Sequence, residues 1–270
     1  MPNASSFQAL VALLRRDVAR NRSYIFAITL DVLFGLLGLA VYFFISRTFG
    51  GGPHANLQGA PTYFAFAAIG VALTLVVQSA CAGLTFTLRE EQLTGTLEAV
   101  VAEPVRTPVL AVGLAGFVFA FAVVRAVLYV LVAYLAFGID LPRASWLGFA
   151  VVLLAAAVAT LAIGIALASA TLIAKRAGGV LASLVPFALG FGGGAFFPIN
   201  QLPGWLQPIA EILPTRFMYT GARNALFRGT DWAGDAAALA AFAVVLLPVA
   251  LACFHGALAL ARREGTLSNY

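Results

Sequence analysis

Charged residues are scarce in this 270-residue sequence, at 10% for Asp, Glu, Lys and Arg together. A typical soluble domain has about 25%. Cysteine and histidine occur only twice each. Cys81 and Cys253 are expected to be buried apolar residues rather than a disulfide or a metal pair, and no Cys/His cluster has ligand spacing. We therefore predict no metal site.

Motifs for nucleotide binding and hydrolytic catalysis are missing. The sequence has no Gly-x-x-x-x-Gly-Lys-Ser/Thr loop and no G-x-S-x-G elbow. Its basic residues form no interleaved patch of the kind that binds nucleic acid. The glycine-rich stretch 190–195, GFGGGA, contains a GxxxG pair, Gly190 and Gly194, which predicts close helix packing or, alternatively, a kink. We expect no enzyme activity in this chain and no nucleic-acid partner.

Long hydrophobic runs dominate instead, because 62% of the residues are hydrophobic and the mean hydropathy is +0.97. A helix needs about 20 apolar residues to cross a bilayer. Six segments meet this length, at residues 24–45, 62–88, 108–136, 146–174, 179–197 and 236–260. The sequence therefore predicts an all-α integral membrane protein, with six transmembrane helices in a single domain over residues 1–270.

Basic residues predict the orientation of these spans. With a cytoplasmic N-terminus, the inner segments hold ten Lys and Arg residues and the outer loops five. This bias favours both termini in the cytoplasm. Residues 5–22 have apolar side chains at helical spacing, which predicts an amphipathic helix on the inner membrane surface. A simple cytoplasmic extension of the first span is the alternative.

Two ionisable residues, Asp31 and Arg125, fall inside predicted spans, where charges are costly and usually face protein or water. A direct ion pair between them is one hypothesis. Arg125 could instead lie at a polar cavity on the transport pathway or at a seam between two chains.

The segment 89–107 between the second and third spans concentrates the acidic residues, with four of the six glutamates in the chain. Leu93, Leu97 and Val100 share one helical face with Val101, so the segment predicts a short amphipathic helix. Its net charge of −2 suits a protein groove better than an anionic lipid surface, although binding to headgroups stays open.

The segment 198–235 is apolar but carries several prolines, which predicts short helices rather than one long helix. Trp205 and Tyr219 are expected at the membrane interface. Arg216 and Arg223 are seven residues apart and could share one helix face. They would either anchor the segment at the interface or help an anionic headgroup to pass.

Two of these stretches carry a family resemblance. LREEQLTGTLEAVVAEPVRTP resembles the cytoplasmic signature of type-2 ABC exporter permeases. FFPINQLPGWLQPIAEILPTRFMYTGARNALFRG resembles the Phe-Pro, Leu-Pro-x-Trp-Leu, Leu-Pro and Arg-x-x-Leu-x-x-Gly series before the last span of that family. The length, the six spans and the N-terminal helix agree with the same family, so the resemblance covers the whole chain.

The resemblance implies a permease whose segment 89–107 is a coupling helix and whose segment 198–235 forms outer re-entrant helices. Two cytoplasmic ATPase subunits, carrying the ATP and Mg, would drive two permease chains, expected as a homodimer in a bacterial-type inner membrane. This chain itself would bind no cofactor. The resemblance assigns ATPase coupling to the following residues: Glu91, Gly95, Thr96, Leu97 and Glu98.

The expected substrate is an amphipathic or hydrophobic compound, drug-like or lipid, exported by alternating access. Phe-, Ala- and Gly-rich spans suit such a cargo, but they do not separate it from a second candidate, a lipid-linked polysaccharide or other glycoconjugate. An ion-coupled secondary transporter is the alternative from a different class, although the sequence shows no convincing internal repeat.

Overall fold

The computed structural model describes residues 15, 25–48, 57–95 and 107–263. These ranges consist of helices joined by turns. The helices are α1 (Ile25–Thr48), α2 (Tyr63–Leu93), α3 (Thr107–Leu135), α4 (Trp146–Ile173), α5 (Lys175–Gly192), α6 (Gln207–Glu211), α7 (Pro214–Arg223) and α8 (Trp232–Arg263). A 3₁₀ turn (Ile199–Gln201) precedes α6, and a π-helical turn (Asn224–Arg228) follows α7.

Helix α2 lies at the centre of the bundle. It packs against α3, α4, α5 and α7, while α8 packs along α4 and α1 rests on α2 and α3. In its most apolar stretch α2 is 78% buried, against 28% for α3 and 22% for α8. Small residues let the neighbouring helices approach α2 closely, because Ala, Gly and Thr make up much of the buried surface of α2. Any movement of α2 must therefore displace several neighbours.

Four helices are long and apolar enough to cross a membrane: α2, α3, α4 and α8. Two shorter apolar segments, Val32–Thr48 and Gly178–Gly192, coincide with parts of the first and fifth predicted spans. The all-α prediction is thus confirmed for the described residues, together with a multi-pass membrane character. The predicted interface helix 5–22, apart from Arg15, lies outside the described residues.

The apolar core falls into two clusters along the bundle. The larger surrounds the first half of α2 and includes the aromatic residues Phe64, Phe66 and Tyr219. The smaller surrounds the second half of α2 and is mainly aliphatic, although Phe254 belongs to it. The first cluster marks what we call the Arg223 end of the bundle, and the second marks the Gly95 end.

Helix α1 presents a broad apolar face to its surroundings. Exposed large side chains on it are Phe26, Leu30, Leu33, Phe34, Leu37, Val41 and Phe44. A contiguous apolar face of this kind suits contact with lipid or with another membrane chain rather than with water.

Candidate functional site

The largest fully buried side chain at the Arg223 end is Arg223 itself, which is 1% exposed. Its Nη1 donates to Gln58 Oε1 at 3.1 Å and to the Gly194 carbonyl oxygen at 2.8 Å. Its Nη2 donates to the carbonyl oxygens of Phe66 at 3.1 Å and Ala195 at 2.8 Å. The two terminal nitrogens thus join α7 to the start of α2 and to the turn after α5. We call this set of contacts the arginine clasp.

Aromatic rings complete the clasp. The Arg223 guanidinium carbon lies 3.4 Å from the Phe66 ring centroid and 5.8 Å from that of Tyr219. Burial lowers the pKa of the Arg223 guanidinium because desolvation penalises its charged form. The group stays protonated at neutral pH, since the lowered pKa of about 9 still lies above 7. Carbonyl dipoles and ring faces, rather than a carboxylate, surround this buried cation within the described residues.

The arginine clasp depends on the turn that follows α5, because two of its carbonyls accept from Arg223. Helix α5 ends earlier than the sequence predicts. The predicted fifth span continued to residue 197, whereas α5 ends at Gly192. Gly194 has a φ of +85° and donates to Phe191 O at 3.4 Å, and Ala195 donates to Gly190 O at 3.0 Å. These are the bonds of a Schellman motif, in which a left-handed glycine closes a helix.

The glycines of GFGGGA therefore form a helix stop, and the predicted GxxxG packing of Gly190 and Gly194 is wrong. A Cβ added at Gly190 would lie 3.6 Å from the methyl group of Thr74, which is an ordinary van der Waals distance. The physical reason is the left-handed backbone at Gly194, which a continuous helix does not allow. The turn instead leaves the Gly194 and Ala195 carbonyls next to the negative end of the α5 dipole, where a cation is favoured.

Gly70 provides the close approach between α2 and this turn. A Cβ at Gly70 would collide with the Ala195 carbonyl oxygen and would lie 3.0 Å from Arg223 Nη2. Only glycine therefore leaves space for the turn to sit against α2 while the guanidinium reaches the Phe66 carbonyl. Sequence reasoning did not select Gly70, since a single glycine in an apolar helix carries no distinguishing pattern.

Tyr219 is fully buried against its neighbours in the protein, and its expected place at the membrane interface stays a prediction. Its hydroxyl is 3.0 Å from Thr74 Oγ1, and Thr74 Oγ1 in turn donates to the Gly70 carbonyl at 2.8 Å. A buried tyrosine hydroxyl needs such a partner, and Thr74 on α2 supplies it. The contact adds a second polar link between α7 and α2, one turn along from the clasp.

Arg216 and Arg223 do not share an environment, although both lie on α7. Arg216 is partly exposed, donates to Glu211 O at 3.2 Å and lies 5.1 Å from the Phe217 ring centroid. Arg223 has almost no exposed surface to offer an anionic headgroup, so of the two only Arg216 is accessible. Trp205, by contrast, is 73% exposed, as an interfacial anchor would be.

Arg125 lies half-buried on α3, and its guanidinium carbon is 5.8 Å from the Phe121 ring centroid. The Tyr129 side chain, one turn further along α3, donates from its hydroxyl to the Val32 carbonyl of α1 at 3.0 Å. Asp31 lies in α1, but its side chain is outside the described residues. The Asp31–Arg125 ion pair and a pathway role for either residue stay predictions.

At the Gly95 end, α2 continues beyond the predicted span and ends at Leu93. Gly95 follows with a φ of +71° and donates to Gln92 O at 3.1 Å, while Thr94 Oγ1 donates to Glu90 O at 2.9 Å. Gly95 therefore interrupts the helical pattern of the segment 89–107. Its left-handed backbone is the conformation that glycine adopts most readily after a helix.

Glu91 lies in the last turn of α2 and is only 3% exposed. A carboxylate is disfavoured at this negative end of a helix. The coupling role that the resemblance assigns to Glu91 stays a prediction. Thr96, Leu97 and Glu98 lie outside the described residues.

Thr107 begins α3, directly after the acidic segment, and its Oγ1 lies 3.0 Å from Nδ1 of His255 on α8. Sequence reasoning missed this link. The available signal was one imidazole within the apolar run 236–260, but only the fold shows that it meets the start of another helix. The contact ties the exit of the acidic segment to α8.

The geometry defines a multi-pass membrane protein with a buried arginine clasp at one end and a glycine-terminated helix at the other. Residues 5–227 match the sequence pattern of the ABC-2 type transporter family, so the chain belongs to that family. The comparison with curated proteins gives no match. Family membership identifies the chain as a permease subunit, which is the transport component rather than the catalytic one. This removes the reason to consider an ion-coupled secondary transporter.

Proposed function

We propose that the chain is the membrane-spanning subunit of an ATP-driven exporter of amphipathic or hydrophobic compounds. Membership of the ABC-2 family over residues 5–227 supports a transporter permease. The sequence contains no nucleotide-binding loop, so ATP and Mg would bind to separate ATPase subunits. We place one ATPase on each of two permease chains in a bacterial-type inner membrane, with both termini and the acidic segment on the cytoplasmic side.

The proposed coupling element is the part of the chain between Gly95 and Thr107. Gly95 ends α2 in an exposed turn, and Thr107 starts α3 in contact with His255 on α8. A push on this element would therefore reach α2, α3 and α8 together. Leu97 would enter an apolar groove of the ATPase, and Glu98 would meet its basic rim.

The single observation that carries this proposal is the position of α2, which connects the arginine clasp to the Gly95 turn. It is the most buried of the four long helices, it begins in the arginine clasp and it ends at the Gly95 turn. A force applied at the coupling element would be transmitted along a rigid helix to α7 and its neighbouring turns. Those short helices would act as the outer gate of the pathway.

The deciding experiment uses the full chain co-expressed with the ABC ATPase subunit that co-purifies with it and reconstituted in vesicles. The Leu97→Ala and Glu98→Gln variants should weaken co-purification of the ATPase or abolish substrate stimulation of ATP hydrolysis. Glu103→Gln is the matched control, because it removes the same charge from the same segment near Pro104. Unchanged binding and stimulation in both variants would contradict the coupling role.

The substrate class is tested in the same vesicles. Drug-like amphipaths, phospholipids and lipid-linked glycans are compared as stimulators of ATP hydrolysis by the intact complex. Stimulation by the first two groups supports our proposal. Stimulation confined to the glycans would identify a glycoconjugate exporter instead and would leave the coupling proposal intact.

A further inference from the structure

A cavity of about 360 Å³ opens at the Arg223 end, between the end of α1, the start of α2 and the turn after α3. Its floor is a triad of aromatic rings, Phe43, Phe64 and Phe137, whose centroids lie 5.1–5.2 Å apart. This volume lies in the lower part of the range of about 300–1,000 Å³ that small-molecule sites occupy. The cavity is separate from the arginine clasp, since it shares no lining residue with it.

Polar groups of both signs line the rest of the cavity. Arg47 and Asp140 are both exposed there. The Arg47 guanidinium carbon lies 4.7 Å from the Phe43 ring centroid, and no carboxylate in the described ranges forms an ion pair with it. Within the same ranges Asp140 has no hydrogen bond or ion pair. One cation and one anion are thus available at a single cavity.

Two hydroxyl groups add donors beside them. Ser46 Oγ accepts from the Phe64 backbone N–H at 3.1 Å, and Thr62 Oγ1 accepts from the Ala65 N–H at 3.1 Å. In each case the oxygen is engaged as an acceptor, so the hydroxyl proton can be donated to a ligand. The cavity therefore offers a guanidinium and two hydroxyls to an anion, and one carboxylate to a cation.

An apolar track leads away from the cavity along α1. Phe44, whose ring centroid is 5.6 Å from that of Phe43, is 64% exposed. Val41 and Leu37 continue the same helix face at i−3 and i−7 and are also exposed. A ligand with a charged head and hydrocarbon tails could place its head in the cavity and its tails on this face.

We propose that this cavity binds the headgroup of a zwitterionic phospholipid of the phosphatidylethanolamine class. The phosphate would accept from Arg47 and the two hydroxyls, and the ammonium would donate to Asp140. The aromatic floor would contact the glycerol region, and the acyl chains would lie against Leu37, Val41 and Phe44. A purely anionic lipid would satisfy Arg47 but would be repelled by Asp140. This site is independent of the exported compound and of the coupling element.

Native mass spectrometry of the purified full-length chain, titrated with phosphatidylethanolamine or phosphatidylglycerol, tests the proposal without any ATPase. Arg47→Gln should lower the affinity for both lipids about threefold or more, because both offer a phosphate. Asp140→Asn should lower the affinity for phosphatidylethanolamine by about the same factor and leave phosphatidylglycerol binding unchanged or stronger. The two side chains are exposed, so neither substitution should disturb folding.

Matched controls are Arg143→Gln and Asp231→Asn, which remove exposed charges outside the cavity at the same end of the bundle. Both should bind the two lipids as the wild type does. Unchanged phosphatidylethanolamine affinity in either cavity variant would overturn the proposal. An equal loss of both lipids on Asp140→Asn, or an equal loss in the controls, would also overturn it by showing general electrostatic attraction.

Discussion

The two ends of α2 are fixed in different ways. At its start, main-chain carbonyls of α2 and of the turn after α5 surround a cation that is 1% exposed. At its finish, the helix ends on an exposed glycine, and the described inter-helix bond nearby, Thr107 to His255, is exposed as well. Buried polar bonds have no competing water, whereas exposed ones exchange with it. We therefore expect α2 to be joined firmly to α7 and to the turn after α5 at the Arg223 end, and to separate more easily from its neighbours at the Gly95 end.

The largest effect should come from removing the cation of the clasp. Arg223→Met keeps most of the side-chain volume but leaves the carbonyls of Gly194 and Ala195 buried without their donors. Each buried acceptor that loses its donor costs about 1–3 kcal/mol, and Arg223 donates to three main-chain carbonyls. We expect a large fall in the thermal unfolding midpoint of the detergent-solubilised protein, followed by tryptophan fluorescence or by size-exclusion of heated samples.

Arg216→Met is the matched control, because it removes the same group from the same helix at a partly exposed position with one described hydrogen bond. Its midpoint should stay close to that of the wild type. Arg223→Lys should recover little, since an ammonium cannot reproduce the paired donors of the guanidinium. If Arg223→Met and Arg216→Met unfold at the same temperature, the clasp does not fix this end.

A smaller effect should follow from closing the space at Gly70. In Gly70→Ala the new methyl group meets the Ala195 carbonyl, so the turn must move away from α2 and the bonds of Arg223 must lengthen. Such overpacking costs about 1–3 kcal/mol. The measurement is again the thermal midpoint, which should fall clearly.

The control for Gly70→Ala is Gly256→Ala on α8, where nothing lies within 4 Å of the added methyl group. There the substitution should be neutral or stabilising, because alanine favours a helix over glycine by up to about 1 kcal/mol. Equal midpoints for the two variants would show that α2 and the turn after α5 are not in close contact.

The Tyr219–Thr74 hydrogen bond should contribute least among the buried links at the Arg223 end. A double-mutant cycle of Tyr219→Phe and Thr74→Val isolates it, since each substitution removes one hydroxyl without a large change in volume. Inter-helix hydrogen bonds in a membrane protein average about 0.6 kcal/mol and reach about 1.7 kcal/mol. A coupling free energy of zero would show that the 3.0 Å contact contributes nothing to stability.

Patterns that repeat along the chain were predictable from the sequence. Runs of apolar residues identified the long helices, because a helix of about 20 such residues has the length that crosses the hydrocarbon core of a bilayer. Pro214 begins α7 and Pro208 lies in the first turn of α6, where the fixed φ of proline suits a helix.

Features that depend on one contact between distant residues were not predictable. Arg223 meets residues 157 positions earlier and 28 positions earlier in the chain, and nothing in its local sequence distinguishes it from Arg216. The same holds for Tyr219, whose aromatic ring and hydroxyl suit an interface as well as a buried site beside Thr74. The GFGGGA stretch fits both close packing and a helix stop, and the positive φ at Gly194 decided between them.

The smallest effect on stability is expected at the Gly95 end, from Thr107→Val. The substitution removes the hydroxyl that contacts His255 but keeps the shape of the side chain, and surface changes of this kind usually stay within about 0.5 kcal/mol. If this contact passes movement from the coupling element to α8, substrate-stimulated ATP hydrolysis by the complex should fall while the thermal midpoint stays constant. Ser183→Ala is the control, because its hydroxyl bonds only within α5. A loss of stability in Thr107→Val as large as that in Gly70→Ala would contradict the comparison, since both ends of α2 would then be fixed alike.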